Sequence, residues 1–224
     1  MIISQPFYKT LQSIKKANLF ILMIACAILG ILFVVCGVSI ITWFSVHLIN
    51  IETAWLDTTV TWIIGCLTGI GGWFMLPACI VLISGVFQET IIHRVEMAFY
   101  PNAVRKEGPR LWPDVIHDIK FTILSISLNL LILPFYLISI GFVMSILLNT
   151  YLLGREFFES AAGYHMGKPS AKQLGKKNWM VVYSGGLIIT LITLVPLLNL
   201  FVPILATIWM VHSFHGIKDK PNPA

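Results

Sequence analysis

The sequence predicts an all-α integral membrane protein with two long transmembrane helices, two half-penetrating (re-entrant) helical hairpins and cytoplasmic helix extensions. Three observations lead there. First, four apolar tracts, at 19–46, 60–87, 121–153 and 181–214, each exceed the roughly 20 residues a span needs. Second, all fifteen Lys and Arg fall in four stretches, 9–16, 94–120, 155–177 and 218–220, while the remaining polar connection, 47–59, holds Glu52 and Asp57 and no cation. Short loops rich in Lys and Arg stay cytoplasmic, so this bias orients the chain with both termini inside. Third, the last two tracts carry cations at both ends, so each must enter and leave on one face.

Composition agrees. Apolar residues make up 57% of 224 positions and charged ones 11%, against roughly 25% charged in a soluble domain. The chain is expected to be one membrane domain, 1–224. Its net charge of +5 is juxtamembrane and suits anionic lipid headgroups better than nucleic acid. Cys26, Cys36, Cys66 and Cys79 lie inside the first two tracts without CxxC spacing and read as packing residues. Ala25-Cys26-Ala27 resembles a signal cleavage site, but apolar sequence runs on beyond it, so an uncleaved anchor is expected.

Residues 1–18 read as a short amphipathic helix in the cytoplasmic interface, with Phe7, Leu11 and Ile14 on one side and Lys9, Lys15 and Lys16 nearby. The tracts at 19–46 and 60–87 are single spans joined outside, with Trp55 and Trp62 near the headgroups. Gly65-xxx-Gly69 and Gly71-Gly72 permit close helix contact. The second span is expected to continue through 89–96 as far as Pro101-Asn102. Gly108-Pro109 and Trp112-Pro113-Asp114 then restart a helix.

The tracts at 121–153 and 181–214 have 33 and 34 residues, too long for one comfortable span and too short for two plus a turn. Each is broken near its middle by residues seven apart, Pro134 and Gly141 in one and Pro196 and Pro203 in the other. A hairpin that dips into the membrane and returns satisfies both facts, provided the freed backbone is buried or lines a wet cavity. The two hairpins form a weak internal repeat offset by 62 residues, a construction common in transporters. The third tract extends through 154–159 to a stop at Gly167-Lys168-Pro169, where Ser170 and Gln173 suggest a capping box for a basic helix.

Several constellations are candidates for chemistry. Glu89, His93 and Glu96 share a helix face, and His117, Asp114 and Asp118 are possible additions, but without HExxH spacing or a Cys/His set a solvated, ion-paired face is the stronger reading and no metal is expected. His212 and His215 are expected to face the interface. Arg155 and Glu159 are an i, i+4 pair, with Tyr151 on the same face and Asn149 and Glu156 close by. A guanidinium offers forked donors for an oxyanion, and neighbouring acids hold it until a substrate competes. Inside the membrane, the returning hairpin arms after Gly141 and Pro203 present helix N-termini that favour an anion, with Asn199 as a further donor. No nucleotide loop, GxSxG or nucleophile–base pair is present, so no enzyme activity and no cofactor are expected.

Residues 192–203, Ile-Thr-Leu-Val-Pro-Leu-Leu-Asn-Leu-Phe-Val-Pro, resemble the Pro-Leu-Leu-Asn-Leu-Phe hairpin of CysZ-type sulfate permeases. Residues 149–159, Asn-Thr-Tyr-Leu-Leu-Gly-Arg-Glu-Phe-Phe-Glu, resemble the Leu-Leu-Gly-Arg-Glu-aromatic block of the superfamily that joins CysZ to the etoposide-induced membrane proteins. Element order and length match over nearly the whole chain. The resemblance implies a homo-oligomeric, multi-pass protein of the bacterial inner membrane that takes up sulfate for cysteine synthesis. One departure stands out. Those permeases bind the anion at a Gly-hydrophobic-Arg turn before the first membrane helix, where this chain has Gln12-Ser13-Ile14-Lys15-Lys16. Lysines attract an oxyanion as point charges but supply no backbone nest.

The expected function is therefore a permease or channel for a small oxyanion, with sulfate first. Lys15, Lys16, Arg155 and Asn199 would bind the anion, and Glu89, Arg94, Glu96, Asn149, Tyr151, Glu156 and Glu159 would form the charge network. Pro134, Gly141, Pro196 and Pro203 would shape the hairpin turns. A non-transporting membrane scaffold and a membrane-embedded metalloenzyme are the alternatives.

Overall fold

The computed structural model describes residues 4–48, 54–105, 111–138, 140–195 and 197–218. Those residues form α-helices and 3₁₀ turns with no strand among them. Glu52, Gly108, Pro109, Pro196 and Lys220 lie outside the described residues. Two compact units emerge, 21–86 and the remainder of the chain.

The first unit is an antiparallel pair of long helices, α2 (Leu19–Leu48) and α3 (Ala54–Val86). They meet along a stripe of small residues. A methyl group added at Gly30 would press on Ile80, and one added at Gly72 would come within 3.1 Å of Val34. Thr42 and Thr68 share a 2.9 Å hydrogen bond across the same seam. Of the predicted glycine contacts, only Gly72 packs within the chain; Gly65, Gly69 and Gly71 face open space. Helix α3 starts at Ala54, earlier than the predicted 60, because Asp57 suits a first helical turn and the Thr59 hydroxyl bonds back to the Trp55 carbonyl.

The second unit comprises α1 (Ser4–Lys16), α4 (Gln88–Phe99), α5 (Leu111–Ile132), α6 (Gly141–Met166), α7 (Lys168–Lys177), α8 (Trp179–Thr193) and α9 (Val202–Lys218). The predicted extension of the second span is a separate helix, α4. The chain turns at Phe87, and the helix stops where Pro101 begins a 3₁₀ turn.

Both predicted interruptions exist. Pro134 opens a 3₁₀ turn at Leu133–Leu137, and α6 starts at Gly141, where a side chain would strike the Phe135 carbonyl. Arg155 over the Phe121 ring and His117 beside Glu159 are both centred on Ile138, which defines an antiparallel α5–α6 hairpin. The second interruption has Leu197 at φ 67°, a 3₁₀ turn at Leu198–Phe201, and Pro203 in the first turn of α9, where its missing N–H costs nothing. Gly185 lies against Trp209 and Met210, so α8 and α9 also run antiparallel.

Helix α6 packs on α8 through Gly154 and Gly186, close enough that a methyl group at Gly186 would come within 2.8 Å of the Gly154 Cα. Helix α9 is buried almost throughout, with Ile208, Met210, Val211 and Phe214 in the core beside Ile91, Ile92, Val95 and Phe158. Helix α1 rests on α9 through its polar residues and through Phe7, whose ring meets Trp209 edge-on at 6.4 Å. Thr10 and Ser13 are buried, whereas Phe7 and Leu11 stay about half exposed. At the start of α7 the cap is Gly167, at φ 81°, and not Ser170, which lies inside the helix because Pro169 already occupies the first turn.

By length and composition, Leu19–Ser45, Asp114–Leu137 and Leu198–Lys218 can cross a membrane. Leu130, Leu131, Leu133 and Leu137 are all more than 60% exposed. A soluble surface does not carry such a continuous apolar face, so lipid is its solvent.

Candidate functional site

Tyr151, Arg155 and Glu159 stand one helical turn apart on α6, the spacing at which side chains on one face meet. Arg155 Nε donates to Glu159 Oε1 at 2.6 Å, and its terminal nitrogen donates to the Tyr151 hydroxyl at 3.0 Å. The guanidinium lies 4.9 Å from the centre of the Phe121 ring. His117 Nε2 stands 3.2 Å from the other Glu159 oxygen, at ion-pair distance. Burial works against the charge on Arg155, but Glu159 and Tyr151 outweigh it and hold the guanidinium pKa above its ordinary value. Two of its five N–H donors are engaged in these bonds.

This triad borders an open cavity of about 450 Å³ between α6, α7 and α8. Lys172 and Lys176, one turn apart on α7, border it too, as do Tyr183 and Trp179. Among the described residues neither lysine is ion-paired. Three cations therefore face one carboxylate across a partly dry wall, an arrangement that favours an anion. Tyr183 packs against Tyr151 at 5.8 Å and against Trp179 at 6.0 Å, so the aromatic wall is continuous. Sequence reasoning missed Lys172, Lys176, Trp179 and Tyr183. Lys172 with Lys176 and Trp179 with Tyr183 are both i, i+4 pairs, so each shared face was a readable signal; that both faces meet Arg155 was not.

The other predicted residues lie elsewhere. Lys15 and Lys16 end α1, with Lys16 5.2 Å from the Phe99 ring, and neither borders the cavity. Asn199 sits in the 3₁₀ turn of the second hairpin, and Asn149 reaches Ser145 at 3.4 Å. Glu89 and Glu156 are exposed. Arg94 donates to the Asn18 carbonyl at 3.3 Å. Asp118 pairs with Lys168 at 2.5 Å, and Asp114 accepts the Lys168 backbone N–H at 2.9 Å.

Glu96 belongs to a second polar cluster. It is fully buried, and its Oε1 accepts from His165 Nε2 at 2.6 Å and His215 Nε2 at 2.9 Å. Burial pushes the carboxyl up, but the two histidines outweigh it and hold Glu96 below the usual carboxylate range. Next to it, His212 bonds Ser13 at 2.8 Å and the Tyr100 hydroxyl at 3.0 Å, and Lys9 donates to that hydroxyl at 3.3 Å. The expected interfacial position of His212 and His215 is thus corrected: both are buried where α9 meets α1 and α4. Partners more than 100 residues apart in sequence, such as Glu96 and His215, leave no local signal.

Neither a curated protein nor a solved structure matches this chain. A family match does cover residues 7–203, which include most of α1, both long helices, both hairpin turns and the Arg155 cavity. By that match the chain belongs to the sulfate transporter CysZ/etoposide-induced protein 2.4 family of membrane proteins.

Proposed function

We propose that this protein is an inner-membrane permease or channel for a small oxyanion, with sulfate the first candidate, and that it serves sulfur assimilation. The observation that carries the reading is Arg155, pinned between Tyr151 and Glu159 at the rim of a cavity it shares with Lys172 and Lys176. In this reading Glu159 occupies the guanidinium while no substrate is present. An arriving oxyanion, drawn by the two lysines, takes over donors of Arg155 as a bidentate partner. The triad keeps the guanidinium oriented, so its ordering cost is met before binding.

The charge bias supports a cytoplasmic side for the cavity, both basic loops and both termini. The α5–α6 and α8–α9 hairpins then enter from that side, with the turns around Pro134, Gly141 and Pro203 lining the path and Asn199 available as a donor. Lys15 and Lys16 act as outlying attractors, and the protein works as a homo-oligomer. Radiolabelled sulfate flux into proteoliposomes, with chloride and phosphate as competitors, tests the proposal. Arg155→Ala should reduce sulfate flux by on the order of tenfold or more while the protein still assembles. Unchanged flux would instead favour a non-transporting scaffold.

A further inference from the structure

We propose that Glu96, His165 and His215 form a binding site for one first-row divalent transition-metal ion of the zinc type. The three come from different helices, α4, α6 and α9, and their ligating atoms all lie within 4.8 Å of one another. Two imidazoles and a carboxylate are one of the ligand sets of a three-residue zinc site with an open position.

A second observation points to a missing partner. Glu96 has zero exposure, yet its Oε2 has no hydrogen-bond partner, while Oε1 takes both histidines. A buried carboxylate with an unsatisfied oxygen is costly unless something neutralises it. A divalent cation held by this carboxylate does so. The imidazole planes are already held. Tyr100 stacks on His215 at 3.9 Å and 15°, and Phe214 stacks on His165 at 5.5 Å and 18°.

The donor set selects the ion. Two nitrogens and one carboxylate oxygen suit Zn²⁺, Co²⁺ or Ni²⁺, whereas Mg²⁺ and Ca²⁺ prefer oxygen alone. His212 is no fourth ligand, because Ser13 and Tyr100 engage both of its nitrogens. On binding, each Nε2–H bond to Glu96 is replaced by an Nε2–metal bond. The proton then resides on Nδ1, so a neutral imidazole loses none. Ligand atoms now 2.6 and 2.9 Å apart must open to roughly 3.3 Å around a tetrahedral ion, a small movement. The His165 side chain is 16% exposed, which provides a path from solvent. No residue of this site borders the Arg155 cavity, so the inference stands apart from the transport reading.

The test uses tag-free, full-length protein in detergent, stripped with chelator and equilibrated with Zn²⁺ or Co²⁺ alone. The expected result is one equivalent of Zn²⁺ by elemental analysis, with Co²⁺ giving the intense visible absorption of a four-coordinate site. X-ray absorption of the Zn²⁺ form should show two imidazole shells. Glu96→Gln and His165→Ala should each weaken binding on the order of a hundredfold, whereas His93→Ala should leave it unchanged. Wild-type protein without bound Zn²⁺, six-coordinate Co²⁺ without histidine nitrogen, or full retention of metal in both variants would overturn the site and leave a hydrogen-bonded His–Glu–His core. If His165→Ala misfolds, the wild-type absorption and spectroscopic results decide the matter by themselves.

Discussion

Arg155 illustrates how much one residue depends on its neighbours. A lysine in its place keeps the charge but loses the planar fork that now addresses Glu159 and Tyr151 together. Arg155→Lys is therefore expected to lower sulfate flux nearly as far as Arg155→Ala, with normal assembly by size-exclusion chromatography. Full flux in the Lys variant would reduce the role of Arg155 to bulk electrostatics. Lys172 and Lys176 are predicted to act differently, as long-range attractors at the cavity mouth. Their joint replacement by Gln should raise the sulfate concentration giving half-maximal flux, and the effect should shrink as ionic strength approaches about 1 M. A salt-independent defect would mean the lysines act by direct contact.

Among the elements, the α6–α8 seam is the most sensitive to volume. At Gly186 a methyl group meets the Thr150 carbonyl and the Gly154 backbone, and neither can swing aside as a side-chain tip would. Gly186→Ala should force the helices apart and cost about 1–3 kcal/mol, visible as a lower unfolding temperature in detergent. Gly216→Ala, which meets nothing, should leave it unchanged. A seam that accepts both changes would not be close-packed. The second hairpin turn differs from the first in its backbone. Leu197 adopts φ 67° and ψ −42°, a conformation that a branched side chain opposes, whereas Gly141 marks the first turn. Leu197→Gly should relieve roughly 1 kcal/mol of strain and raise the unfolding temperature slightly. A fall would show that the leucine's own contacts outweigh its backbone cost.

At the scale of the whole molecule, orientation is predicted from where the cations are absent. The 21–86 unit carries no Lys or Arg, while every cation lies before or after it. Single-cysteine variants at Asp57 should react with a membrane-impermeant reagent added outside cells, and those at Lys168 should react only after permeabilisation. Outside reactivity at Lys168 would invert the topology and move the Arg155 cavity to the opposite face. That outcome would leave the local chemistry of the cavity intact and change only the direction in which it loads.

Much of the architecture was legible without coordinates, because a bilayer imposes simple rules on sequence. Tract length, the one-sided distribution of cations and the paired breakers at 134 and 141 predicted helices and interruptions that the structure contains. Gly167 and Pro169 marked the end of α6 for the same reason, since backbone conformation is a local property. Along one helix, i, i+4 spacing also made the Tyr151–Arg155–Glu159 face readable. Tertiary structure alone decided what faces that triad. Helix α7 brings Lys172 and Lys176 to it, α8 brings Trp179 and Tyr183, and the approach of Gly154 to Gly186 sets the distance. It alone also joined Glu96 to His165 and His215, separated by 69 and 119 residues in the chain. The physical reason is common to both sites. Spacing along a helix fixes which side chains share a face, but which faces meet depends on packing between helices, and that is encoded in the whole chain at once.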